Sequence, residues 1–206
     1  MIYGLSGASS SGKTTLGRAV AEYLDLTYLP TSITECARKH GYEATSHLSL
    51  KDRLSLQWYL LNDHLEMIQK APRPAITDRT PIDMIGYLMG EFWMNSHEYC
   101  DVETMRGAEH YVAECMKAAS LHYDHIFHLS RLPLYILGDN RPTDNPAYHR
   151  HTDLVMKGAL LDLNGNVSFT VVASETLDWR IDNVTQVITR RLDEFDTMRK
   201  TSRHLN

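Results

Sequence analysis

The chain has 206 residues, of which 43% are hydrophobic and 23% charged, and its formal net charge is −5 at pH 7. This composition excludes disordered, collagenous and fibrous classes and suits one well-buried core. Its acidic balance counts against a protein that grips duplex nucleic acid mainly through phosphates. No apolar run approaches the roughly 20 residues of a membrane helix. The opening residues lack an export signal, and the three cysteines, Cys36, Cys100 and Cys115, form no CxxC pair. A cytoplasmic protein with no membrane partner is expected.

No internal repeat, low-complexity tract or long linker divides the chain, so residues 1–206 read as one domain. Met1 to Ser6 predicts a short buried strand, followed by a Gly/Ser-rich turn and a helix in which Leu16, Val20 and Leu24 share a face. Leu26 to Leu29 predicts a second strand closed by Pro30. Thr31-Ser32 or Thr34 then caps a helix that runs through Lys39 and ends at Gly41. From Lys51 to Lys70, the apolar residues Leu54, Trp58, Leu61, Leu65 and Ile68 step by four and three, the clearest helical stripe in the chain.

Pro72 and Pro74 end that helix, and Ala75-Ile76-Thr77 reads as a strand that delivers Asp78-Arg79 at its C-terminal end. Pro81 suits the first turn of a helix whose Ile82, Ile85, Met89 and Phe92 are expected to face the core. Residues 102–120 predict another helix and 126–129 another strand. Arg131 to Leu160 reads as a polar segment, a candidate mobile lid over residues 131–160. Val167 to Ala173 is the most β-branched run, and a final helix carries Ile181, Val184, Ile188, Leu192 and Phe195 at helical spacing. Strands alternating with helices imply a parallel α/β sheet covered on both faces.

Gly7-Ala8-Ser9-Ser10-Ser11-Gly12-Lys13-Thr14-Thr15 matches GxxxxGK[ST], between the first predicted strand and the first helix. The glycines permit a tight loop whose N–H groups converge on phosphate oxygens at a helix N-terminus, so Gly7, Ser9, Ser10, Ser11 and Gly12 are expected to cradle phosphate. Lys13 is expected at the β- and γ-phosphates, Thr14 on Mg2+ and Thr15 on an outer phosphate.

Beyond this loop, Asp78 and Arg79 stand where open α/β sheets bind ligands; Asp78 can serve Mg2+ or the acceptor, and Arg79 can grip an acceptor bidentately. Glu35 and Arg38 fit one helix turn facing an acceptor, with Glu35 as candidate general base; a solvated helical pair is an equal reading. Within the polar segment, Arg141 and Arg150 are the candidates to stabilise a transferring phosphoryl group. One face of the long helix, bearing Trp58, Tyr59 and His64, suits a flat ring, although Trp58 continues the apolar stripe. His149-Arg150-His151 has the wrong spacing for a helical metal pair.

The phosphate loop, Glu35-Cys36-Ala37-Arg38, the helix from Leu54 to Ile68, the run from Ala75 to Asp83 and a late arginine-bearing segment together resemble the P-loop kinases of nucleosides and nucleotides. Within that family the chain is similar to the branch with the nicotinamide-riboside kinase domain and related AAA-type ATPase/kinase domains, phage-encoded members included. The resemblance implies an adenylate-kinase type fold, a five-stranded parallel sheet in the order 2-3-1-4-5, with ATP over the loop and the acceptor beside the second and third strands. By position it implies ATP and Mg2+ on Lys13 and Thr14, acceptor-side roles for Asp78 and Arg79, and a lid role for Arg141. The strand at 126–129 ends in Ser130, so no second acidic strand end is available for metal. The expected activity is transfer of the γ-phosphoryl of ATP to a nucleoside or nucleoside monophosphate; a kinase of modified bases or ends of DNA and a non-catalytic ATP-binding switch are the alternatives. A homodimer through helices 51–70 or 102–120 stays open.

Overall fold

A computed structural model describes residues 1–43, 48–97, 99–132, 145–163 and 165–204. Five strands, β1 (Ile2–Ser6), β2 (Thr27–Leu29), β3 (Ala75–Thr77), β4 (His125–Leu129) and β5 (Ser168–Val172), pair in parallel in the order β2-β3-β1-β4-β5. Among the described residues, the helices are α1 (Lys13–Leu24), α2 (Ile33–Lys39), α3 (Leu50–Lys70), α4 (Pro81–Met94), α5 (Val102–His122), α6 (Pro146–Asp162) and α7 (Leu177–His204). None is long and apolar enough to cross a membrane.

The period-two alternation of the strands divides the core between the two faces of the sheet. Ile2, Ala75 and Ile126 pack with residues of α3, α4, α5 and α6. Their neighbours Tyr3, Ile76 and Phe127 join Leu5, Leu129 and Val172 in packing with α1 and α7. Each fully buried aliphatic or aromatic side chain contributes about 1.5–3 kcal/mol. A smaller cluster of Cys36, Ala37, Leu56 and Leu60 fastens α2 to α3. Ser32, Ser49, Asp101 and Asn145 each accept a backbone N–H three residues on, which explains where α2, α3, α5 and α6 begin.

The described residues refine three sequence expectations. Residues 146–160 of the expected mobile segment lie in α6, which buries Met156 and Leu160 in the core and is tied to α4 by a 3.1 Å hydrogen bond from the Tyr148 hydroxyl to Glu91; residues 133–144 lie outside the described residues. Met89 is 38% exposed, because α3, α5 and α6 enclose α4 on the side of Ile82, Met84, Ile85 and Leu88. Phe195 is also exposed: the 28-residue α7 is about 42 Å long, more than twice the length of a five-residue strand, so its C-terminal half outruns the sheet.

Candidate active site

The turn from β1 into α1 is shaped before any side chain acts. Gly7 has φ 149° and Gly12 φ 88°, and a Cβ at Gly7 would lie 2.7 Å from the Leu129 carbonyl oxygen. Only glycine takes both positions without strain. Ser11 N–H closes the turn on the Ala8 carbonyl at 3.3 Å, while the buried Ser11 hydroxyl has no hydrogen-bond partner among the described residues. Ser9 and Ser10 are half-buried, and Thr14 and Thr15 are exposed on the first turn of α1. Lys13 is buried, its ammonium donating to the Gly7 carbonyl and, at 3.0 Å, to that of Ala8.

Asp78, at the C-terminal end of β3, gathers three elements. Its Oδ2 accepts from Thr14 Oγ1 at 3.1 Å and from the Tyr28 hydroxyl at 2.7 Å, and its Oδ1 accepts from Thr31 N–H at 2.9 Å. The phosphate loop, β2 and β3 thus converge on one carboxylate that is only 8% exposed. Burial first, then the bond to Asp78, pushes the Tyr28 phenol up to about 12. Beneath this hub, His64 is fully buried, with Nδ1 3.1 Å from Thr31 Oγ1 and Nε2 2.7 Å from the Tyr123 hydroxyl. Burial, reinforced by the Arg79 charge, holds this imidazole down at about 3, so it is neutral.

Asp83, in the first turn of α4, is a second buried hub. Its Oδ1 accepts from Gly7 N–H at 3.2 Å and lies 3.6 Å from the Lys13 ammonium, and its Oδ2 accepts from Thr80 N–H and Oγ1. On the opposite side of the loop, Arg180 of α7 donates to the carbonyls of Ser11, Ser130 (2.9 Å) and Ser174 (2.6 Å). The loop is therefore clamped between α4 and α7.

The other sequence candidates are dispersed around this centre. Arg79 is half-buried, its guanidinium 4.9 Å from the Tyr87 ring centroid. Glu35 is exposed and lines a cavity of about 230 Å³ with Thr31, Cys36, Asp63 and His64; Arg38 is exposed and does not line it. Arg150 is exposed near the start of α6, and Arg141 lies outside the described residues. His64 is buried at the cavity wall, and Tyr59 stacks on His40 at 4.0 Å.

A family model described as an AAA domain, AAA_28, matches residues 3–180. The chain belongs to the AAA_28 family. Among curated proteins, no sequence matches the chain. In three dimensions this AAA_28 domain is similar to a deoxyadenosine kinase from M. mycoides solved with dCMP and dCDP, at TM-score 0.67 and 14% identity over 92% of this chain and 100% of the kinase. It is similar to thymidylate kinase from Candida albicans, at TM-score 0.65 and 14% identity over 92% of this chain and 91% of that one. The NadR protein in complex with NR aligns at TM-score 0.65 and 17% identity, over 90% of this chain and 50% of NadR. The AAA_28 domain thus has the fold of P-loop nucleoside and nucleotide kinases, with the strand order that the family resemblance implies.

The donor set of the AAA_28 site fits a nucleotide and Mg2+. Among the described residues, the buried Ser11 hydroxyl has no partner and the Lys13 ammonium meets carbonyl groups and Asp83, an arrangement that suits phosphate oxygens. The Thr14 hydroxyl and Asp78 carboxylate are hard oxygen ligands of the kind Mg2+ prefers. Sequence reasoning missed Asp83, Tyr28, Tyr123 and Arg180 as parts of this site. Only Asp83 carried a signal, the Thr80-Pro81-Ile82-Asp83 capping box directly after Asp78-Arg79.

Proposed function

We propose that this protein is an ATP-dependent phosphotransferase that moves the γ-phosphoryl group to a hydroxyl or phosphate oxygen of a nucleoside or nucleoside monophosphate. The observation that carries the reading is the 3.1 Å contact between Thr14 Oγ1 and Asp78 Oδ2, which joins the phosphate loop to the strand end beside the acceptor cavity. Lys13 would leave the Gly7 and Ala8 carbonyls for the β- and γ-phosphates, while Gly7, Ser9, Ser10, Ser11, Gly12 and Thr15 hold the phosphate chain. Thr14 and Asp78 would hold Mg2+, which would supply charge neutralisation on the phosphate oxygens.

For a hydroxyl acceptor, Glu35 takes the proton as the new P–O bond forms and the bond to the β–γ bridging oxygen breaks, releasing ADP. Arg38 and Arg79 orient the acceptor, and Arg141 and Arg150 stabilise the charge that spreads over the transferring group. The acidic net charge favours a small acceptor over DNA.

The test is ADP formation with Mg-ATP against a panel of nucleosides, nucleoside monophosphates, nicotinamide riboside and short DNA. One acceptor should stimulate turnover, and Lys13→Ala should abolish it while leaving the thermal unfolding transition in place. ATP binding without stimulation by any acceptor would overturn the reading and favour a binding switch; stimulation by DNA alone would replace the small acceptor.

A further inference from the structure

We propose that Cys36, His40 and Asp63 form a binding site for a borderline-soft divalent transition metal, with Zn2+ as its natural occupant. One ligand atom from each residue, the Cys36 thiol sulfur, a His40 ring nitrogen and an Asp63 carboxylate oxygen, lies within 4.8 Å of the other two. His40 Nε2 is 3.2 Å from Asp63 Oδ2. A tetrahedral zinc with ordinary bond lengths separates its ligand atoms by about 3.3–3.6 Å, so the sulfur needs to close by no more than about 1.5 Å.

Local structure presents these atoms together. Cys36 lies in α2 and His40 caps it four residues later, which places both on one side of the last turn, and Asp63 faces them from α3. The His40 ring is stacked on Tyr59, with ring planes 11° apart, so its orientation is set before any ion arrives. Asp63 divides its two oxygens: Oδ1 accepts from the Lys39 ammonium at 2.7 Å, and Oδ2 faces His40. Lys39 can keep its hydrogen bond while Oδ2 binds metal, as an outer partner that orients a ligating carboxylate.

The mixture of donors distinguishes this cluster from an ordinary ion pair. Lys39, His40 and the Cys36 thiol all hydrogen-bond to Asp63, so sulfur and imidazole already converge on one carboxylate. Sulfur, imidazole and carboxylate together suit zinc and disfavour Mg2+ or Ca2+, which take oxygen ligands. Cys36 and Asp63 also line the cavity of about 230 Å³, which supplies an entry path and room for water at a fourth position. On binding, the S–H bond breaks, its proton passes to solvent and the sulfur–metal bond forms.

The experiment uses the intact protein without nucleotide, titrated with Zn2+ in competition with a chromogenic chelator and with Co2+ by absorption spectroscopy. One equivalent should bind, and Co2+ should give a thiolate charge-transfer band in the near ultraviolet. Cys36→Ser should remove the band, and His40→Ala should weaken binding at least about tenfold. The absence of a thiolate band in the unmodified protein would overturn the proposal, as would unchanged affinity in a folded Cys36→Ser or His40→Ala variant. Should Cys36→Ser fail to fold, the unmodified spectrum and His40→Ala still decide. None of these readouts depends on phosphoryl transfer.

Discussion

The Lys13 ammonium stands 3.6 Å from Asp83 Oδ1, and that carboxylate is fully buried. The same side chain accepts hydrogen bonds from Gly7 N–H and from the N–H and hydroxyl of Thr80. Asp83→Ala therefore strands three donors and a buried ammonium at once. The expected loss is about 3 kcal/mol, read from urea unfolding, because a buried charge left without its partner is costly. A loss below about 1 kcal/mol would show that Asp83 is not holding the loop.

On the proposed function, Asp78 acts at the reaction and Tyr28 supports it from behind. Asp78→Asn changes the charge that faces Thr14 and is expected to lower turnover by at least about a hundredfold. Tyr28→Phe removes one hydrogen bond to the same carboxylate and leaves its charge, so a loss within about tenfold is expected. Steady-state kinetics on both variants checks the order; equal losses would mean that Tyr28 does more than position Asp78.

What could be read from the sequence followed from periodicity and from one loop. Alternation in β1 and β4, the stripe from Leu54 to Ile68 and the GxxxxGK[ST] spacing are local signals, and the sheet order then followed from the family resemblance. α6 was concealed because its buried positions include His149 and Asp153, polar residues that read as solvated. Among the described residues, Asp153 is held by a distant and a helical partner, His128 Nε2 at 3.0 Å and Lys157 at 2.8 Å, so its burial depends on packing. Arg180 was missed for the same reason. Its three carbonyl partners lie in three different segments, and no spacing in the chain announces them.

Buried histidines make stability depend on pH with a definite sign. Burial holds His64 at about 3 and, with help from Arg191 and Arg190, His125 at about 4, both below the unfolded value of 6.5. Above pH 6.5 both are neutral whether the chain is folded or not, and their contribution is fully present. As pH falls, the unfolded chain takes up protons that the folded chain refuses, and stability drops by roughly 1.4 kcal/mol per pH unit for each histidine. Urea unfolding at pH 7, 6 and 5 should show this decline, and His64→Gln should flatten it by about one proton's worth. An unchanged slope in His64→Gln would mean that His64 does not stay neutral in the folded protein.

Arg180 closes the loop from the far side, so Arg180→Ala should loosen nucleotide binding as well as the fold. Loss of charged donors to three carbonyls predicts a drop in Tm of roughly 5–10 °C for a domain of this size. Arg180→Lys, with a single ammonium, should fall between the two. Thermal unfolding and ATP titration together check this; a lower Tm with unaltered ATP affinity would assign Arg180 to the scaffold alone.

The clamp on the phosphate loop also makes its shape a property of the whole sheet. The strand that precedes residues 7–15 sits at the middle of the sheet, between β3 and β4, and Arg180 reaches the Ser11 carbonyl from α7. A fragment that ends before α7 would carry the GxxxxGK[ST] spacing without the guanidinium that braces it. The motif is therefore local in sequence, while the contacts that hold its backbone come from opposite ends of the fold.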